Sequence, residues 1–181
     1  MIRISIFIDG NNFYFGLKRI YSDTKDLINF NFEKFCNFLS REGEIIDIFY
    51  YNSALDITKN LEKYKNQQRF FDKLKKIERF KLILCKLVKR KIKGTEDYYY
   101  VLKEDDIHMA VDMVEGAADD RYDIAIVVSG DGDFVPAVKA VQRKNKKVEN
   151  AYFRKTSSAN LKQNCNKSIN LTKEILNKFF D

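Results

Sequence analysis

Residues 122–134 read YDIAIVVSGDGDF. The run at 122–129 is apolar almost without a break, and a strand with one solvated face would alternate apolar and polar residues instead. It is therefore read as a strand buried on both faces. Ser129, Gly130, Asp131 and Gly132 follow as a tight turn, and a helix is expected over about 133–143, with Pro136 tolerated in its first turn.

Working outward, residues 2–8 form a second continuous apolar strand, which ends in the turn Asp9-Gly10-Asn11-Asn12 and leads into a helix over 12–20. Asn29 or Asn31 can cap a second helix, in which Phe32, Phe35, Phe38 and Leu39 recur at helical spacing. Residues 44–51 read as a strand. Residues 58–78 read as a long helix with the stripe Leu61, Tyr64, Phe71, Leu74 and Ile77, and 80–87 as another strand. Residues 88–102, VKRKIKGTEDYYYVL, set basic and aromatic runs on either side of Gly94-Thr95, the pattern of a β-hairpin or a mobile arm. Asp105 or Asp106 opens a helix to about 118, with acids in the first turn where the helix dipole favours them. Residues 147–153 are the last predicted strand, and helical or loop segments close the chain. Alternating strands and helices with continuously apolar strands predict an α/β fold whose parallel sheet is covered on both faces. No repeat and no Pro/Gly/Ser-rich linker interrupts the chain, so 1–181 is expected to be one domain.

Composition narrows the class. At 181 residues the chain can bury roughly 70% of its unfolded surface and needs no disulfide or structural metal to fold. Its 45% apolar content, with seven Gly and one Pro, excludes disordered and collagen-like chains. Cys36, Cys85 and Cys165 are odd in number and form no CxxC pair, so buried thiols in a reducing compartment are expected. The N-terminal MIRISIFIDGNN lacks the long apolar core of a signal peptide, and no stretch is long enough for a membrane span. The expectation is a soluble, cytoplasmic protein. A net charge of +7, from 33 basic and 26 acidic residues, suggests an anionic partner, nucleic acid first. Solvated lysine on a Lys-rich chain explains the same figure.

In parallel α/β sheets, ligands bind beyond the carboxyl ends of the strands. Asp9 ends the first strand, Asp131 and Asp133 follow the strand at 122–129, and Asp105 and Asp106 begin a helix. Each also has a plain structural explanation, as a turn, cap or helix-start residue. That explanation has to hold at three places on one predicted sheet edge. Clustered carboxylates repel unless some are protonated or a cation neutralises them, and all-oxygen donors favour Mg²⁺ or Mn²⁺. Two such ions about 3.5–4 Å apart suit phosphodiester hydrolysis.

FIDGNNFY near the N-terminus, DDIHMAVDMV in the middle and DIAIVVSGDGDFVPAVKAVQRKNKKVE later resemble, in this order, the NYN family of PIN-like nuclease domains, in its LabA-like (DUF88) branch. The likeness is good over 1–13 and 103–153 and loose between. It implies a three-layer α/β/α PIN-like fold and Mg²⁺- or Mn²⁺-dependent cleavage of RNA, leaving a 5′-phosphate and a 3′-hydroxyl. Asp9, Asp106, Asp131 and Asp133 then match the metal-holding acids. Asn12, with Asn11, matches the asparagines that orient the site. Ser129 matches the serine ending the strand, and Asp112 a supporting acid. Lys103-Glu104 stands where the family has Lys-Gly, so Asp105 and Asp106 both remain candidates, register favouring Asp106. Asn166 takes the place of an aspartate that often follows the last strand.

Lys86, Lys89, Arg90, Lys91 and Lys93 lead into Tyr98, Tyr99 and Tyr100. Cations track phosphates and aromatic faces stack unpaired bases, so this arm is the first candidate for RNA contact, a solvated edge with packed tyrosines being the alternative. Arg143, Lys144, Lys146 and Lys147 read as a solvated helix end, and His108 as an exposed or packing residue. The expected activity is a metal-dependent endoribonuclease; the alternative is a non-catalytic NYN module that binds RNA or a protein. A homodimer stays open. Asp9-Gly10-Asn11 lacks the Asp-x-Asp of an aspartyl-phosphate phosphatase, and Gly130-Asp131-Gly132 lacks the third glycine of a dinucleotide site.

Overall fold

Successive side chains on a strand point to opposite faces. Ile4, Ile6 and Ile8 therefore enter one core, while Phe7 and then Asp9 face the other. The computed structural model in which this is seen describes residues 1–22, 24–41 and 43–180, with backbone alone for 100–103. Its strands are β1 (Arg3–Asp9), β2 (Glu44–Asn52), β3 (Phe80–Leu84), β4 (Lys86–Lys91), β5 (Tyr98–Lys103), β6 (Ile124–Val128), β7 (Lys147–Tyr152) and β8 (Lys167–Asn170). Six of them form a parallel sheet in the order β3-β2-β1-β6-β7-β8, and β4 and β5 pair antiparallel as a separate hairpin.

The helices are α1 (Gly10–Tyr21), α2 (Phe32–Ser40), α3 (Leu61–Leu74), α4 (Asp105–Ala118), α5 (Val135–Gln142), α6 (Ala159–Asn164) and α7 (Lys173–Leu176). Helices α1, α2, α3 and α7 cover the face of Ile4, Ile6 and Ile8. Helices α4, α5 and α6 cover the face of Phe7, Tyr51 and Val127. The expected three-layer α/β/α arrangement is thus present. No helix among the described residues is long and apolar enough to cross a membrane.

Phe13 anchors α1. Its ring lies 5.2–5.5 Å from those of Phe30, Phe32, Phe35 and Phe153. Burying one such ring contributes about 1.5–3 kcal/mol. It also fixes the helix whose first turn follows Asp9. From adjacent strands, β1 leads into α1 on one face and β6 towards α5 on the other. A crevice opens where such connections diverge, here between the carboxyl ends of β1 and β6.

Several expectations needed correction. The strand at 147–153 is not the last, because β8 adds an edge to the sheet. The helix expected over 58–78 runs only over Leu61–Leu74. Asn60 caps it by accepting from the Lys63 N–H, Leu61 is exposed, and Ile77 packs on the core from beyond the helix end. The strand expected over 80–87 breaks at Cys85 into β3 and the first arm of the hairpin. Gly132–Phe134 is a 3₁₀ turn ahead of α5, which begins only at Val135. Lys146, read as part of a solvated helix end, is instead largely covered and pairs with Asp120 and, at 3.7 Å, with Asp123, beside Arg3 at the amino edge of the sheet.

Candidate active site

The apolar run of β1 ends at Asp9, which is 8% exposed. Asp9 is also the N-cap of α1: its Oδ1 accepts from the Asn12 N–H at 2.9 Å. Its Oδ2 accepts from the Ser129 hydroxyl at 2.9 Å, and the same hydroxyl oxygen accepts from the Asp131 N–H at 3.1 Å. Asn12 Oδ1 accepts from the Gly130 N–H at 3.2 Å. Asp131 caps the 3₁₀ turn by accepting from the Asp133 N–H at 2.9 Å. Asp9, Asn12, Ser129 and Asp131 therefore form one connected network across the crevice. Gly130 is needed here, because a Cβ would overlap the carbonyl of Thr156. Asn11 is exposed in the first turn of α1.

Helix α4 brings the remaining acids. Burial pushes Asp9 up to about 6, with Asp105 and Asp131 adding to the rise and the bonds from Asn12 and Ser129 opposing it. Asp106 rises to about 7, first through desolvation and then through Asp105, Asp9, Asp131 and Asp133. Desolvation and Asp131 likewise raise Asp105. The sequence-predicted Asp9, Asp106, Asp131 and Asp133 thus share one electrostatic neighbourhood, and Asp105 joins them. His108 is exposed on the same helix.

The donor set is all carboxylate oxygen, which suits a hard divalent cation, and a cation would relieve the mutual repulsion. Among the described residues, however, no three acidic, His or Cys side chains converge closely enough to hold an ion as they stand. Charge and donor type fit Mg²⁺ or Mn²⁺; coordination by three acids requires side-chain rotation.

The raised Asp9 has a consequence for stability. Its carboxyl titrates at 3.8 when unperturbed and at about 6 in the fold. A raised acid contributes stability below the unfolded value and loses it as pH climbs to the folded one. In divalent-free buffer, Asp9→Asn is expected to gain on the parent by several degrees in thermal midpoint between pH 4 and pH 7.5. A constant difference across that range would contradict the raised carboxyl.

Two supporting contacts were not predicted. The Tyr51 hydroxyl donates to Asp112 at 2.8 Å, and Tyr51 pairs in register with Asp9. Asp112 therefore ties α4 to β2 at the level of Asp9. The buried Asn150 on β7 donates from Nδ2 to the carbonyls of Val127 at 3.0 Å and Ser129 at 2.8 Å, fixing the chain where it leaves β6. Its Oδ1 has no partner among the described residues. In the sequence KVENAY it stands beside Glu149, so no apolar run singled it out. Asn166 does not reach the site: it accepts from the Val148 N–H at 2.8 Å, near the amino end of β7.

The basic arm is the β4–β5 hairpin, as one of the two expected forms had it. It is rooted at the acids, because Cys85 feels Asp105, Glu104 and Asp106, and Lys86 lies 3.6 Å from Glu104. Lys89 sits 4.2 Å from the centre of the Tyr98 ring, and Lys91 pairs with Glu96 at 2.9 Å. Arg90, Lys93, Tyr98 and Tyr99 are exposed, and the Tyr100 side chain lies outside the described residues.

The family profile described as NYN domain matches residues 3–172. A crystal structure of a protein of unknown function from Vibrio parahaemolyticus RIMD 2210633 superposes with a TM-score of 0.67 at 23% identity, covering 97% of this chain and 96% of that one. At that identity it shows a shared fold. Comparison with curated proteins gives no match.

Proposed function

The chain belongs to the NYN domain family, and on that premise we propose a metal-dependent endoribonuclease, with Asp9, Asp106, Asp131 and Asp133 holding Mg²⁺ or Mn²⁺. The observation that carries this reading is the elevation of Asp9 on β1 and of Asp106 on α4, by desolvation first and then by each other's neighbours and the acids of the turn after β6, in a chain of net charge +7. A bound divalent ion supplies Lewis acidity at a phosphate oxygen and a more acidic water. The chain supplies the rest. Ser129 and Asn12 orient Asp9 and the turn carrying Asp131. Tyr51 holds α4, and with it Asp105 and Asp106, against the sheet. The hairpin Lys86, Lys89, Arg90, Lys91, Lys93 and Tyr98 collects the polyanion beside the acids.

One observation favours a second reading, a module that binds RNA or protein without cutting: among the described residues no three acids are ready to hold an ion. The two readings separate in one assay of purified protein on mixed single-stranded RNAs. The nuclease reading expects cleavage with Mn²⁺ and none with EDTA. RNA bound but left intact under all divalent conditions would support the module.

A further inference from the structure

We propose that single-stranded nucleic acid is gripped on both flanks of the acidic cleft, by the hairpin on one side and by a platform of Tyr14, Phe15, Arg154 and Lys155 on the other. The cut, if made, rests on the nuclease reading; the grip does not.

The placement follows from the topology. The hairpin continues from β3, two strands from β1 on one side. The 3₁₀ turn Arg154–Thr156 continues from β7, two strands from β1 on the other. At 4.7–4.9 Å between strands, the two flanks lie about 19 Å apart, with Asp9 midway. The segment 153–158 is wedged between α1 and the acidic turn: a Cβ on Gly16 would strike Phe153, and one on Gly130 the Thr156 carbonyl. The Ser158 N–H donates to the Gly130 carbonyl at 2.7 Å. Arg154 and Lys155 are exposed on this wedge.

Beside it, α1 presents Tyr14 and Phe15, 40% and 47% exposed, with ring centres 5.2 Å apart. Scattered surface apolars need no explanation. Two aromatics packed edge to face in the helix capped by Asp9 form a surface on which bases can stack. The two segments that form the platform carry charge of one sign. Residues 10–21 and 153–173 contain no acid, although acids make up 26 of the 181 residues. Lys18 and Arg19 continue the α1 surface one turn on, where the helix dipole also favours them. Aromatic faces select unpaired bases, so the occupant is a single strand, and a strand held on both sides of the acids would be cut internally.

The test is anisotropy of a labelled 20-nucleotide single strand on the full chain in EDTA, so no cleavage enters and failure of the nuclease reading leaves the result intact. Arg154→Ala with Lys155→Ala is expected to weaken binding about tenfold and to lower the slope of log affinity against log salt by about 1.4, the loss of two phosphate contacts. Tyr14→Ala with Phe15→Ala is expected to weaken it about tenfold with the slope unchanged, and to leave duplex binding as it was. Combining either pair with Lys89→Ala and Arg90→Ala in the hairpin should multiply the losses, as for independent sites. The swap Arg154→Lys with Lys155→Arg should retain binding, showing that charge and not local folding is read. Equal effects on RNA and DNA strands would place recognition in backbone and bases alone, as proposed. Platform variants that bind a single strand with parental affinity and slope, or that lose duplex binding equally, would overturn the proposal.

Discussion

Asp9→Asn and Asp131→Asn are each expected to cleave single-stranded RNA at least about 10³-fold more slowly than the parent, a barrier increase of about 4 kcal/mol. The size follows from what the two carboxylates do. Asp9 is buried, with each oxygen already oriented by one donor, and Asp131 is oriented through the same serine. Asparagine keeps an oxygen for the cap of α1 and for the Asp133 N–H, and is itself a good N-cap. It removes the negative charge that would hold a divalent ion. Both variants should therefore fold, with activity lost and thermal stability kept or, for Asp9→Asn at neutral pH, raised, a split that a structural role for these residues would not produce. Cleavage within tenfold of the parent in either folded variant would end the mechanism.

The second large effect distinguishes neighbours on α4. Asp106→Asn is expected to reduce cleavage about 10²- to 10³-fold, and Asp105→Asn about tenfold. Asp106 is coupled to Asp105, Asp9, Asp131 and Asp133, whereas Asp105 is coupled to Asp106, Asp9 and Asp131 but not to Asp133. The acid that senses every other is the more central. Both stand in the first turn of α4, so helix destabilisation would affect them alike. Rates measured at saturating and at limiting RNA check the assignment, since loss of an ion-holding acid lowers kcat while a binding role moves KM. The reverse order of effects would make Asp105 the residue that holds the ion.

The parts of the fold legible beforehand were those in which apolar continuity ends abruptly at an acid. Strands β1 and β6 are buried on both faces, so their residues read without ambiguity, and the first acid after each run marks the carboxyl edge. Four residues of β8, all exposed or half-buried, give no such run, and its existence depends on pairing with β7. The overlong α3 shows the opposite failure. Its amphipathic pattern continues past both ends, but Asn60 sets the start and the chain leaves the helix at Lys75. Asp112 was read as a supporting acid on the right helix, but its partner stayed hidden, because Tyr51 lies 61 residues away and only the sheet register brings them together. The choice between Asp105 and Asp106 was open for a physical reason: both enter the same field of acids. Tyr14 and Phe15 were passed over as part of an ordinary helix, since nothing in their spacing shows that the wedge at 153–158 leaves them uncovered.

The central claim is that these acids close on a divalent ion. A crystal of the protein soaked in Mn²⁺ and measured at the manganese absorption edge tests it most directly. The account predicts an anomalous peak between Asp9, Asp106 and Asp131, with their carboxylates rotated towards it. Full Mn²⁺ occupancy elsewhere on the molecule, with these side chains still apart and no peak among them, would contradict it.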